Sequence, residues 1–186
     1  MVEKVFIISG PSGVGKGTLI QKLINEFSKE IFLSVSVTTR YQRPGEIDGV
    51  SYDYISTEEY QSLLQEDALI EHAEYAGGCY GSRRSALNAL KEHRSVIFEV
   101  DVRGKKQIVD EIPQAITVFI LPPSLDELRR RLESRGTESP EKIDTRIEVA
   151  KQEISESSSY QICIVNDDLD EAFEALKRIY IEQTSR

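Results

Sequence analysis

Cysteine is scarce in this chain of 186 residues. Cys79 and Cys163 lie far apart and lack the spacing of metal ligands, which argues against a disulfide framework or a zinc site. Two histidines, His72 and His93, are too few for a histidine-based metal centre. Basic side chains are outnumbered 23 to 32, giving a net charge of −9. That balance suits neither a nucleic acid nor an anionic membrane as partner, because both require a basic face. A local basic pocket for a small anion is still compatible with it. Long apolar runs are missing as well. Val5–Ile8, near the start, is far shorter than a signal-peptide core or a transmembrane helix. The expected setting is therefore soluble, reducing and cytoplasmic.

The composition that is present, 39% apolar and 30% charged, is that of a folded globular protein. The length fits one domain, or one core with a small insert, and can bury a core without covalent staples. Val5–Ile8 has no polar alternation and reads as a strand buried on both faces, as in a parallel sheet. Leu19, Ile20, Leu23, Ile24 and Phe27 then recur at helical spacing and predict a helix from about Gly15 to Lys29. Further strands are expected at Val96–Val100, Ile116–Leu121 and Ile162–Val165. Helices are expected near Lys105–Glu111, around Leu125–Glu133 behind a Ser124/Glu127 capping box, after Ser139-Pro140, and over Leu169–Tyr180. Strands alternating with helices predict a parallel sheet covered on both sides. The stretch Ser34–Arg84 breaks the rhythm. It carries alternating residues around Val35 and Val37, a turn-rich Arg43–Glu46, a short strand at Val50–Ile55 and a helix opened by Ser56 and Glu59. It reads as a small mixed α/β insert.

The strongest motif is Gly10-Pro11-Ser12-Gly13-Val14-Gly15-Lys16-Gly17-Thr18, between the first strand and the first helix. Phosphate oxygens need several backbone N–H donors converging on one point, and a glycine-rich loop can curl tightly enough to supply them. The helix adds its positive N-terminal end, and Lys16 can reach the outer phosphates. Where the strict pattern has Ser or Thr directly after the lysine, this chain has Gly17, with Thr18 one place later. That favours water-mediated over direct binding of a metal ion by Thr18.

With the loop stand Ser34–Arg40, Arg43–Glu46, Gly49 to Tyr52, Ile70–Ala73, Tyr80–Ser82, Glu99–Asp101, Arg135–Glu138, Arg146 and Val165–Asp168. Together these resemble, over nearly the whole chain, the guanylate kinases, a family of nucleoside-monophosphate kinases. The resemblance implies an α/β P-loop kinase with a parallel five-stranded core sheet flanked by helices. It divides the chain into a core at 1–35 and 84–186, a small mixed α/β monophosphate-binding insert at 36–83 and a helical lid at 124–150. It also implies transfer of the γ-phosphoryl group of ATP to GMP, and to dGMP, with Mg²⁺.

By this resemblance Arg40, Arg43, Tyr52 and Tyr80 hold the GMP phosphate, for which arginine's planar, permanently charged fork is suited. Ser36, Glu71 and Ser82 serve the guanine, whose edge offers two adjacent donors that one carboxylate can accept together, and Gly81 is implied in the GMP site beside them. Adenine would set a lone pair against that carboxylate, and one bidentate base contact is worth about 1–3 kcal/mol of discrimination. Glu99 and Asp101 end a buried strand, where ligands gather in such sheets. The family usually has aspartate where Glu99 stands, which leaves Glu99 between a guanine contact and the metal's shell. Asp101 could support Lys16 or metal-bound water. Arg131, Arg135 and Arg146 are implied on the lid over ATP, with Lys16, Arg43, Arg135 and Arg146 clamping the transfer. Asn166 either borders the adenine or belongs to a simple turn before a helix capped by Asp168. Arg129 and Arg130 read as solvated charges, and His72 as structural or exposed. Scaffold domains of similar fold lack a working phosphate loop, whereas this chain keeps the glycines and Lys16.

Overall fold

The computed structural model describes residues 2–185 other than 44, 76, 135, 137 and 138. The chain runs β1 (Val5–Ser9), α1 (Lys16–Glu26), β2 (Ile31–Ser34), β3 (Val37–Thr38), β4 (Asp53–Tyr54), α2 (Thr57–Gln65), β5 (Leu69–Tyr75) and β6 (Gly78–Arg83). It continues through a 3-10 turn into α3 (Asn88–Lys91), then β7 (Ser95–Glu99), α4 (Val102–Glu111), β8 (Ile116–Leu121), α5 (Leu125–Ser134), α6 (Pro140–Ser155), β9 (Ile162–Val165) and α7 (Leu169–Thr184).

Five strands make a parallel sheet in the order β2-β7-β1-β8-β9, with Val5 opposite Val96 and Phe6 opposite Ile116. Successive side chains of β1 point to opposite faces, and both faces are apolar. Phe6 and Ile8 join the cluster formed with α1 and α7, through Leu19, Ile20, Leu23, Leu176 and Tyr180. Val5 and Ile7 join Ala86, Ala89 and Ile108 on the other side. This double burial is what the unbroken apolar run predicts. All the C-terminal strand ends then lie along one edge, and the Gly10–Gly15 loop leaves β1 there.

A second sheet, in the order β4-β3-β6-β5, spans residues 37 to 83. Its own small core is Val37, Tyr60 and Leu69. The β5–β6 hairpin carries a bulge: Leu69 stands opposite Arg83, but Glu71 stands opposite Ser82. The extra residue, Ile70, turns into the main core beside Val96 and Phe98, while Leu69 fills the core of the second sheet. One inserted residue thus serves two cores and re-aims Glu71.

Several local expectations need correction. α1 stops at Glu26 and not near Lys29, because Phe27 leaves helical geometry at φ −117° and stacks its ring 4.8 Å from that of Tyr180. The strand expected at Val50–Ile55 shrinks to Asp53–Tyr54, since the Val50 and Ser51 amides turn back to the Ile47 carbonyl. Ser139 precedes α6 without a side-chain cap bond. Ser56 and Ser124 do accept from the Glu59 and Glu127 amides, but the Glu59 carboxylate lies 3.8 Å from Arg83 and the Glu127 carboxylate is taken by Arg130 and Arg131, so each box is half formed. Among the described residues no helix is long and apolar enough to cross a membrane.

Asp168 caps α7 by accepting from the Asp170 and Glu171 amides at 2.9 and 3.0 Å. Asp168→Ala is expected to lower the unfolding free energy by about 1 kcal/mol. Urea titration should show this as a lower midpoint at unchanged slope.

Candidate active site

The loop between β1 and α1 is built so tightly that its glycines have steric reasons. At Gly10 (φ +152°) a Cβ would stand 2.4 Å from the Ile120 carbonyl oxygen of β8. At Gly15 (φ +94°) it would stand 2.4 Å from Asn166 Nδ2. That same amide donates to the Val14 carbonyl at 2.7 Å, so the loop is held from β8 and from the end of β9. Lys16 opens α1 with its ammonium donating to the Gly10 carbonyl at 3.0 Å and lying 3.6 Å from Glu99 Oε1. From α6, Arg146 donates to Ser12 Oγ at 2.5 Å.

These groups line one cleft of about 1350 Å³. It brings Gly10–Thr18, Glu99, Asp101 and Arg146 together with Ser36, Arg40, Arg43, Tyr52, Glu71 and Tyr80 from the second sheet and its loops. Arg103, Lys105 and Lys106 add to its basic character, so cations outnumber carboxylates in its lining although the chain carries −9 overall.

Across from Lys16, Arg40 is locked in place. Its guanidinium binds Glu46 through two bonds of 2.6 and 2.7 Å and lies over the rings of Tyr52 and Tyr54, at 4.8 and 5.7 Å from their centroids. Glu46 also accepts from Tyr54 Oη at 2.6 Å and from the Arg43 amide at 2.8 Å. The Arg40 hydrogen bonds pull the Glu46 carboxyl from 4.5 to about 2, against the opposing effect of burial. The same bonds raise the Arg40 pKa further. Tyr52 meets Tyr80 edge to face at 5.9 Å, completing an aromatic and cationic wall.

Glu71 lies deeper. It is 5% exposed and accepts from Ser82 Oγ at 2.6 Å, while Ser82 Oγ lies 3.4 Å from Ser36 Oγ. Burial raises its carboxyl pKa; the Ser82 bond opposes that, and nearby Asp101 adds to it. A carboxylate so enclosed is costly unless a donor-rich ligand meets it.

Some expected residues sit elsewhere. Ser82 is fully buried behind Glu71 and is not part of the cleft wall. Gly81 also lies behind it: a Cβ there would meet Leu69 at 2.8 Å and the Glu71 carbonyl at 3.0 Å, so this glycine makes room for the bulge. Asn166 is buried as the clasp on Val14, and Arg131 donates to the Asn166 and Asp167 carbonyls at 2.9 and 3.2 Å; neither lines the cleft. Asp101 caps α4 by accepting from the Arg103 and Gly104 amides, and it is Glu99 that stands beside Lys16. Thr18 lines the cleft from the first turn of α1. Arg135 lies outside the described residues. Arg129 and Arg130 pair with Asp144 and Glu127 at the surface, and the His72 side chain is exposed.

Sequence reasoning assigned no role to Glu46, Tyr54 or Glu153. Glu46 ends the turn-rich Arg43–Glu46 stretch, six residues after Arg40, a spacing that no helix or strand period marks as a pair. Glu153 is seven residues after Arg146 on α6, hence on the same face. It is half-buried toward Lys16, with its carboxyl pKa raised by burial and held back by the Lys16 charge.

A parallel sheet opening through a glycine loop onto a lysine-bearing helix, and faced by arginines on a second sheet, defines a nucleotide-phosphate-binding protein. Comparison with known proteins narrows that class. The family model described as guanylate kinase matches residues 2–183. A guanylate kinase of Desulfitobacterium hafniense (strain Y51) is 40% identical over 183 residues, which is 98% of this chain and 91% of that one. One from Streptococcus agalactiae serotype III is 43% identical over 176 residues, 94% of this chain and 84% of the relative. The crystal structure of guanylate kinase from Anaplasma phagocytophilum superposes with a TM-score of 0.82 at 31% identity, covering 100% of this chain and 88% of that one. The chain belongs to the guanylate kinase family.

Because Glu46 has a lower pKa folded than unfolded, its ion pair stabilises the fold fully above about pH 4.5 and progressively less as the pH falls toward about 2. Glu46→Gln should therefore lower stability near neutrality by on the order of 1 kcal/mol. Denaturant titrations across pH should show that difference closing as pH 2 is approached.

Proposed function

We propose that this chain transfers the γ-phosphoryl group of MgATP to GMP, and to dGMP, giving ADP and the nucleoside diphosphate. The observation that carries this reading is the single cleft in which the Lys16 loop and buried Glu71 face each other. The loop amides and Lys16 would hold the donor's phosphates. Arg40, Arg43, Tyr52 and Tyr80 would hold the acceptor's phosphate, so that one of its oxygens points in line at the γ-phosphorus. That oxygen is already ionised, so no strong general base is required. Charge spread over the phosphoryl oxygens in the transition state would be met by Lys16, Arg43, Arg146 and Arg135. Glu71 would accept from the guanine ring N–H and amino group, with Ser36 and Ser82 supporting it.

The donor set fits a hydrated Mg²⁺ that arrives with ATP. The Lys16 ammonium stands 3.6 Å from Glu99 Oε1, and even a Cβ at Gly17 would be 4.0 Å away, so there is room beside that carboxylate. Among the described residues no group of three His, Cys, Asp or Glu side chains converges as a metal site, which suits an ion that brings phosphate and water ligands. Glu99 would hold it, with Thr18 and Asp101 acting through water. When bound, the ion would supply positive charge that screens the phosphate oxygens.

Movement of the insert (36–83) and the lid (124–150) over the cleft would exclude water, which otherwise competes for the phosphoryl group. Arg131 would act on the lid indirectly, through the Asn166 clasp on the loop. Substrates are small nucleotides, with neither nucleic acid nor membrane as partner, in the cytoplasm.

Lys16→Met should lower kcat by roughly 10²–10³-fold, as for removal of one preorganised charge contact. Coupled ADP release with GMP, AMP, CMP and UMP tests the acceptor; comparable rates for AMP would defeat the guanine assignment. Glu71→Gln should cut the preference for GMP over AMP by roughly tenfold.

A further inference from the structure

The Glu71 carboxylate has two oxygens, and only one of them is explained by Ser82. The other, Oε2, lies beside the first turn of α4. Gly104 lies there, its amide donating to Asp101 Oδ1 at 2.9 Å. A Cβ at this position would stand 2.9 Å from Glu71 Oε2 and 3.0 Å from the Val100 Cβ. Three residues along the same helix face, Gln107 turns both ends of its amide to the backbone of His72. Its Nε2 donates to the His72 carbonyl at 2.9 Å, and its Oε1 accepts from the His72 amide at 3.1 Å. The helix therefore latches β5 one residue past Glu71 and leaves, at Gly104, the space that the carboxylate fills. Within a helix alanine is favoured over glycine, so what glycine contributes here is the missing methyl group.

We propose that Gly104 is a positioning residue for base discrimination: its bare Cα seats the Glu71 carboxylate so that both oxygens face the guanine edge together. This rests on the reading of Glu71 as the guanine acceptor given above. A methyl group at 104 would push Oε2 off that position while leaving the Lys16 loop untouched. The effect should therefore appear in acceptor choice and in KM for GMP, and not in the use of ATP.

The test uses the full chain with GMP and inosine monophosphate, which keeps the ring N–H and lacks the amino group. Gly104→Ala should reduce the GMP preference in kcat/KM by roughly tenfold, chiefly through KM for GMP, with KM for ATP within about twofold of the parent. Glu71→Gln is run beside it. If Glu71→Gln loses the preference and Gly104→Ala keeps it, the positioning role is overturned and the guanine reading stands. If Glu71→Gln also keeps the preference, that reading falls and takes this inference with it. A thermal-unfolding cycle separates steric conflict with Glu71 from conflict with Val100. In a Glu71→Ala background, adding Gly104→Ala should leave Tm unchanged or raise it, even if Gly104→Ala alone fails to fold. An equal loss of Tm in both backgrounds, or a double variant that also fails to fold, assigns the conflict to Val100 and overturns the proposal.

Discussion

An ammonium ion at the mouth of a narrow loop must be partly dehydrated and aimed before any phosphate reaches it. In this protein the carbonyl of Gly10 and the carboxylate of Glu99 do that for Lys16. Most of the surrounding architecture follows from the requirement. The loop can curl back to offer the Gly10 carbonyl only because residue 10 sits against the β8 backbone, where no side chain fits. Asn166 fastens the other arm of the loop from the end of β9. Glu99 comes from β7. Four adjacent parallel strands thus deliver their C-terminal ends to one charge, which an antiparallel arrangement of the same strands could not do.

The opposite wall follows the same rule with different chemistry. Several of the cleft's cations are paired in advance with the chain's own carboxylates and rings. Arg40 is held by Glu46 and two tyrosines, Arg103 lies 3.3 Å from Asp101, and Lys105 lies 4.7 Å over Tyr160. Such pairing limits the rotamer freedom of long side chains before a ligand binds, which lowers the entropic cost of binding. It also means that a phosphate reaching Arg40 must join or displace Glu46, so at that position one charge contact is exchanged for another.

The parallel core was legible because its strands are short unbroken apolar runs and its helices have clear periodicity, as at Val5–Ile8 and Leu19–Phe27. The phosphate loop was legible from the spacing of its glycines and Lys16 and from its place between a strand and a helix. The edge strand Ile31–Ser34 was not, because it follows α1 after a brief turn and only Ile31 and Ser34 are fully buried. The β5–β6 hairpin was hidden for a different reason. Its bulge breaks the two-residue alternation, and the face carrying Glu71 pairs it with Ser82, which no hydrophobic pattern marks. The resemblance brought the guanine-side residues to attention but could not show that Ser82 and Gly81 stand behind Glu71. The Arg131–Asn166 link joins residues 35 apart, a distance across which spacing carries no information.

The register of the central strand sets an order of events as the chain is made. Val5 pairs with Val96 and Phe6 with Ile116, so neither edge of β1 can be hydrogen-bonded in the sheet until about half of the protein has been synthesised. The second sheet closes between residues 37 and 83, through contacts much nearer in sequence. During translation the first apolar strand must therefore wait without its sheet partners while the intervening segment assembles, and α1, which packs on Phe6 and Ile8, is the first element able to cover one of its faces.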